Sequence, residues 1–110
     1  MADFEVRDIQ GQKVFIREFK PRFFLINNMF VYADPRYELD DEAITLCLEK
    51  LSDPYFPCKS AEEGCVLTLD YNEDNQEFYV GQWYLSEFTD ATVELAAKEA
   101  YDEYKRWAGI

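Results

Sequence analysis

Residues 23–32 read Phe-Phe-Leu-Ile-Asn-Asn-Met-Phe-Val-Tyr, two apolar runs of four residues on either side of an asparagine pair. Asparagine tolerates the left-handed backbone conformation that a two-residue turn requires, so the stretch predicts a tight β-hairpin. One long buried strand that crosses both asparagines is the alternative. In either arrangement both faces of the stretch are apolar, which predicts that it lies at the centre of the core.

A second hairpin is predicted on the N-terminal side of this stretch. Residues 4–9 begin with the apolar and polar alternation of a half-buried strand, and residues 13–19 are rich in β-branched and aromatic residues, as strands are. Gln10 and Gly11 lie between them, and glycine adopts the positive φ of a tight turn without strain. Pro21 then interrupts the pattern, because proline cannot donate a hydrogen bond within a central strand.

A helix and a third hairpin are predicted on the C-terminal side. The helix begins near Asp40 or Asp41, and its apolar residues recur at helical spacing: Ile44, Cys47, Leu48 and Leu51. Residues 65–71 alternate as a strand does, 72–75 form a polar loop, and 76–85 read as the partner strand. Gly81 within that strand indicates a bulge or a close approach of the backbone.

The C-terminal helix has the clearest pattern. An apolar stripe runs from Val93 to Trp107, Thr89 is placed to cap its N-terminus, and Gly109 is placed to end it. Phe88 and Val93 are spaced as a hydrophobic staple. The sum predicts a single α+β domain over residues 1–110, with an antiparallel β-sheet of about four to six strands and two α-helices packed on one face.

The lack of long apolar runs and the cysteine content indicate the compartment. No apolar run approaches the ~20 residues of a membrane-spanning helix, and residues 1–5 lack the basic start of a signal peptide. Three cysteines, an odd number, suit a reducing environment, although Cys58 and Cys65 could pair across a loop. We therefore expect a cytoplasmic protein without contact to membranes.

Charge is the strongest functional indication. The formal net charge is −12, and residues 60–97 contain nine acidic residues but no Lys, Arg or His. Residues 1–36 are nearly balanced, so the remainder carries the negative charge. Such a field attracts basic surfaces and repels nucleic acid, whose direct binding would need clustered Lys and Arg.

Few residues are suited to catalysis or to binding a cofactor. The chain has no histidine, and its four glycines are scattered, so no glycine-rich phosphate loop is present. Cys47 lies on an apolar helix face and is expected to be a buried small hydrophobe. Asp70, Asn72 and Asp74 match the first ligands of an EF-hand loop, but the glycine required next is Asn75. A polar hairpin turn is the better interpretation, and we expect no catalytic residue, cofactor or metal.

The acidic stretch also contains aromatic residues. Alternation along residues 76–85 places Phe78 and Val80 on one face and Tyr79, Trp83 and Leu85 on the other. Both faces are apolar, so one of them exposes rings unless something covers it. Exposed aromatics among carboxylates suit a basic partner surface, whereas the alternative is a merely solvated face. The predicted partner-binding residues are Glu62, Glu63, Asp70, Glu73, Asp74, Glu77, Tyr79, Trp83, Glu87, Asp90 and Glu94.

These observations favour a non-enzymatic inhibitor that occupies a basic, nucleic-acid-binding surface of a nuclease or similar effector. Its carboxylates would stand in for phosphates, as in small acidic phage anti-defence proteins such as anti-CRISPR and anti-restriction proteins. That comparison rests on general character, because no motif assigns the chain to such a family. The alternatives are an immunity or antitoxin protein that neutralises a basic toxin, and a small enzyme that depends on Cys58, Cys65 or a carboxylate.

Overall fold

The computed structural model describes residues 4–56, 60–88 and 90–109, and both N-terminal hairpins lie where the sequence predicts them. Strands β1 (Phe4–Ile9) and β2 (Gln12–Lys20) pair antiparallel. The turn between them uses positive φ at Gln10 and Gly11, as a two-residue hairpin requires. The chain therefore enters the sheet as a simple meander.

The central stretch forms a hairpin, so the alternative of one long strand is wrong. Strands β3 (Phe23–Ile26) and β4 (Met29–Ala33) pair antiparallel, and β3 also pairs with β2. Asn27 adopts a φ of 51°, and its side-chain oxygen accepts a hydrogen bond from the Phe15 N–H at 2.9 Å. The asparagine thus supplies the turn conformation and also satisfies a backbone donor of β2.

A crossover helix then changes the direction of pairing. Helix α1 (Asp41–Ser52) begins at the N-cap Asp40, whose carboxylate accepts a hydrogen bond from the Ala43 N–H at 2.8 Å. The next strand, β5 (Cys65–Asn72), pairs parallel with β4. Two parallel neighbours need a long connection, which α1 and the loop after it provide. The prediction of a purely antiparallel sheet is therefore wrong at this one junction.

The last two elements complete a six-stranded mixed sheet. Strand β6 (Glu77–Tyr84) pairs antiparallel with β5, and the spatial order of the strands is their order along the chain. Helix α2 (Ala91–Ala108) ends at Gly109 in the left-handed conformation, as predicted. Its N-cap is Asp90, so the prediction of Thr89 as the cap is wrong, and Thr89 itself lies outside the described residues. Threonine and aspartate are both good N-cap residues. Asp90 takes this position, and its carboxylate accepts a hydrogen bond from the Thr92 N–H at 2.9 Å.

The two helices cover opposite faces of the sheet, which corrects the predicted packing on one face. One buried cluster contains Ile44 and Cys47 of α1, packed with strand residues such as Val31 and Leu67. The other contains Ala97 and Ala100 of α2, packed with their strand neighbours such as Phe30 and Val66. Because β3 and β4 are apolar on both faces, each face needs its own cover. The α+β class, the strand number and the two helices agree with the sequence prediction.

Candidate functional site

The β5–β6 hairpin fixes which side chains share a surface. In its register Thr68 lies opposite Gly81, and Asp70 lies opposite Tyr79. Side chains alternate between faces along a strand, so these four positions and Trp83 belong to the face that α2 covers elsewhere. On the other face, Val80 packs against the cluster beneath α1. Strand β5 is therefore covered on the α1 side, whereas β6 is only partly covered on that side, and the cover of the other face depends on α2.

Helix α2 packs chiefly on β2 and β3 and leaves the α2-side face of β6 open. Tyr79 is 51% exposed and Trp83 is 49% exposed. Strand β6 is also an edge of the sheet. The predicted exposure of Tyr79 and Trp83 is confirmed, but Phe78 and Tyr84 on the other face are also exposed, so the expectation of one fully covered face is wrong.

A groove of about 680 Å³ runs across this open face. We call it the β5–β6 groove, and it is lined by Tyr32, Thr68, Asp70, Tyr79, Gly81, Gln82, Trp83, Glu87 and Phe88. Four aromatic rings and two carboxylates contribute, and none of the lining residues is basic. An aromatic, acidic surface of this kind is suited to a cationic ligand.

No protein-family model, curated protein or solved structure matches this chain. Inferences about function therefore rest on its own side chains and their surroundings.

The structure brings together four of the predicted partner-binding residues in the β5–β6 groove: Asp70, Tyr79, Trp83 and Glu87. Glu77 lies two positions before Tyr79 on β6, so its side chain is on the same face. Glu87 is held in place, because one of its carboxylate oxygens accepts a hydrogen bond from the Tyr84 N–H at 2.6 Å. Four of the predicted residues therefore line the groove, and Glu77 lies on the same face of β6 outside it.

Three further predicted residues lie in a different groove, which contains bases. Glu62 and Glu63 lie in a short 3₁₀ helix (Ala61–Glu63), and Glu94 lies in the first turn of α2. They share this groove with Lys98 and Lys105, and Glu94 is 3.6 Å from the Lys98 ammonium. The lysines reduce the negative potential there, so this groove is less suited to a basic partner than the β5–β6 groove.

At the hairpin tip, Arg36 neutralises part of the predicted surface. Its guanidinium donates to Glu73 at 2.8 Å and to both carboxylate oxygens of Asp34, and it lies 4.3 Å from the centre of the Tyr71 ring. The hydrogen bonds from Arg36 lower the pKa of Asp34 to about 2. Asp74 lies in the turn, where its N–H donates to the Asn72 side chain at 2.9 Å. Glu73 is thus already paired, and its predicted role in partner binding is weakened.

Asp90 has a structural task. Its carboxylate accepts hydrogen bonds from the Thr92 N–H and the Thr92 hydroxyl, and these bonds lower the pKa of Asp90. An N-cap carboxylate is stabilised by the partial positive charge of the helix N-terminus. Its negative charge is therefore largely directed at its own helix.

Sequence reasoning missed Tyr32 and Phe88, which border the groove. Tyr32 comes from β4 and reaches the groove because parallel pairing places it beside Thr68. The Phe88 ring packs 5.9 Å from the Tyr32 ring and 4.9 Å from the Phe23 ring. The expected close approach at Gly81 is confirmed, since an added Cβ there would lie 2.7 Å from the Thr68 hydroxyl oxygen.

Metal-binding side chains are not grouped in the described ranges. Among residues 4–56, 60–88 and 90–109, no three His, Cys, Asp or Glu side chains are placed to hold a metal ion. Asp70 and Asp74, which resemble ligands of an EF-hand, belong to a strand and a turn rather than to a helix-flanked loop. The interpretation of this segment as a hairpin turn is confirmed.

The cysteines differ in state. Cys47 is a buried free thiol, as predicted, and burial raises its pKa to about 12. Cys65 is disulfide-bonded, which departs from the expectation of free thiols, and Cys58 lies outside the described residues. A buried thiol with a raised pKa holds little thiolate and is a poor nucleophile.

We expect Cys47 to react with iodoacetamide at pH 8 at least roughly 100-fold more slowly in the native protein than in denaturant, because the native thiol is buried and protonated. Mass-spectrometric mapping of the peptide that contains Cys47 measures the rate for this residue alone. Equal rates in the native and denatured protein would contradict a purely structural role.

Proposed function

We propose that this protein is a non-enzymatic inhibitor that binds a basic, nucleic-acid-binding surface of a partner protein and excludes its nucleic acid. The supporting observation is the β5–β6 groove, where Tyr79 and Trp83 are half-exposed beside Asp70 and Glu87 and no basic residue lines the surface. A surface that binds phosphates is rich in Arg and Lys. Those side chains can pair with carboxylates and stack on aromatic rings.

The overall charge supports the same partner. A net charge of −12 steers a basic protein toward this one and raises the rate of association. The groove then supplies apolar contact area, which charge alone does not. Long-range attraction together with an aromatic anchor is a common design in tight, specific complexes.

The compartment is part of the proposal. No helix in the described ranges is long and apolar enough to span a membrane. We place the action in the cytoplasm, and in the bacterial host if the chain is encoded by a phage, because nucleic-acid-binding effectors work there. The disulfide at Cys65 is more typical of an oxidising compartment. We therefore base the cytoplasmic placement on the nature of the partner rather than on the cysteines.

We expect the affinity for the partner to fall steeply with salt, by about tenfold or more between about 50 and 200 mM. Salt screens the exposed charges and reduces the free energy gained when bound counterions are released. The measurement begins with affinity capture from a host lysate at low salt and identification of the bound proteins. The purified partner is then tested for loss of its own labelled DNA or RNA when this protein is added.

Two results would overturn the proposal. One is an affinity that does not change with salt, and the other is a partner that keeps its nucleic acid while this protein is bound. A captured toxin whose gene neighbours that of this chain would instead support the immunity alternative. The double variant Asp8→Asn, Glu49→Gln is a control for the loss of two negative charges outside the β5–β6 groove. Both carboxylates are exposed and lie away from that groove.

A further inference from the structure

The floor of the β5–β6 groove contains Gly81, a residue without a side chain. Tyr79, Gly81 and Trp83 lie on the same face of β6, so no side chain of this strand stands between the two rings, and the Thr68 hydroxyl lies beside Gly81. Four residues along a strand separate the Cα atoms of Tyr79 and Trp83 by about 13 Å. A side chain from another molecule can therefore lie between the rings, above Gly81 and Thr68.

The floor itself contains a polar group without a partner. Thr68 is 3% exposed, and within the described residues its hydroxyl oxygen has no hydrogen-bond partner. A buried polar group left in this state costs about 1–3 kcal/mol. Thr68 lies on β5 directly opposite Gly81, and its hydroxyl oxygen is 2.7 Å from the position that a Cβ of Gly81 would take. The oxygen is closed to solvent, and a donor from another molecule that reaches it when the Thr68 side chain rotates would satisfy it.

A carboxylate lies beside the same gap. One oxygen of Asp70 is 3.5 Å from the position that a Cβ of Gly81 would occupy. Glu87 lines the groove as well, and Lys98 and Lys105 belong to the separate groove beside α2. The occupant must therefore bring positive charge of its own to balance these carboxylates.

We infer that the β5–β6 groove binds an arginine side chain of the basic partner, inserted at Gly81 between Tyr79 and Trp83. This inference rests on the proposed function and names the group that the partner contributes. A guanidinium is planar and can stack on aromatic faces, and its five N–H donors suit the Asp70 carboxylate and the Thr68 hydroxyl together. A lysine ammonium is compact and strongly hydrated, so it gains less from stacking between rings.

The probes are hexa-arginine and hexa-lysine peptides, which carry the same charge. We expect hexa-arginine to bind about five- to tenfold more tightly, the size of one or two guanidinium contacts with a ring or carboxylate. Backbone amide shifts in an NMR titration should be largest at Gly81 and its neighbours. Equal affinity for the two peptides, or shifts elsewhere, would overturn the inference.

Variants test the groove against general charge. Asp70→Asn and Tyr79→Ala should each reduce the arginine preference to about twofold or less, because each removes one contact of the guanidinium. Asp8→Asn and Tyr55→Ala are the matched controls and should retain the preference, since Asp8 lies on β1 and Tyr55 is 93% exposed in a loop. An arginine preference that survives both groove variants would also overturn the inference.

The two proposals fail separately. Salt-sensitive displacement of nucleic acid from the partner, combined with equal affinity for the two peptides, would retain the proposed function and reject the arginine site. An arginine preference that depends on Asp70 and Tyr79, combined with a partner that keeps its nucleic acid, would retain the site and reject the proposed function.

Discussion

Replacement of Phe30 by alanine should lower the free energy of unfolding by about 3–5 kcal/mol, the cost of removing a large buried aromatic ring. Phe30 is 2% exposed and lies on the α2 face of β4. Its ring centre is 5.8 Å from that of Phe19 and 6.5 Å from that of Tyr101 in α2. The substitution would leave a cavity between the sheet and the helix, where the surroundings can relax only in part.

Ile44→Ala tests the other face of the sheet and should cost about 2–5 kcal/mol. Ile44 is buried between α1 and the opposite face. Guanidinium chloride unfolding at pH 7 measures both variants, and Tyr55→Ala serves as a surface control that should stay within about 0.5 kcal/mol of the parent protein. A cost below about 1 kcal/mol for either core variant would contradict a sheet covered on both faces.

The sequence indicated the elements of this fold more reliably than their arrangement. Strand alternation, the Asn27–Asn28 turn and the stripe of α2 are local signals, and the structure confirms them. The prediction of both helices on one face was wrong, although residues 23–32 are apolar on both sides and need a cover on each face. A sheet of that kind cannot leave one face in water, so the two helices had to be divided between the faces.

The parallel junction had a weaker signal. Helix α1 lies between two predicted strands, which is the pattern of a crossover unit. The hairpins on both sides favoured antiparallel pairing throughout, and no residue near β5 in the sequence indicates which strand β5 pairs with. Because parallel pairing with β4 depends on contacts distant in the sequence, it emerges only from the packed structure.

The candidate site shows the same difference between local sequence signals and contacts distant in the sequence. Alternation along β6 was sufficient to place Tyr79 and Trp83 on one face. Nothing local distinguished Glu73, which Arg36 pairs from 37 positions away, from Asp70, which lies in the groove. The sequence therefore identified the acidic region, and tertiary contacts decided which of its carboxylates remain available.

Arg22→Met should lower the free energy of unfolding by about 2–4 kcal/mol, although no sequence pattern indicates a role for Arg22 beyond the turn. Its guanidinium donates to the carbonyl oxygens of Ala33 at 3.2 Å, Asp34 at 3.1 Å and Tyr37 at 2.5 Å. These carbonyls belong to the end of β4 and the loop that leads to α1. Methionine keeps the apolar stem but leaves the three acceptors without their donor.

Arg22→Lys separates charge from geometry. One ammonium cannot reproduce the fixed fork of a guanidinium, so we expect an intermediate cost of about 1–2 kcal/mol. Arg22 has a φ of 62°, and both variants share any strain of that conformation, which cancels in their comparison. Lys13→Met is the surface control. If Arg22→Met and Lys13→Met had equal stability in guanidinium chloride, the three hydrogen bonds would not contribute to holding the loop.

The same loop connects stability to the proposed surface. Arg36 follows Asp34 in this segment and pairs with Glu73 at the tip of the β5–β6 hairpin. If Arg22 holds the loop, Arg22→Met should also release Arg36 from Glu73 and leave that carboxylate exposed and unpaired. Binding of hexa-arginine would then gain a contact at the hairpin tip, outside the groove, and NMR shifts at residues 72–75 in Arg22→Met but not in Lys13→Met would reveal it.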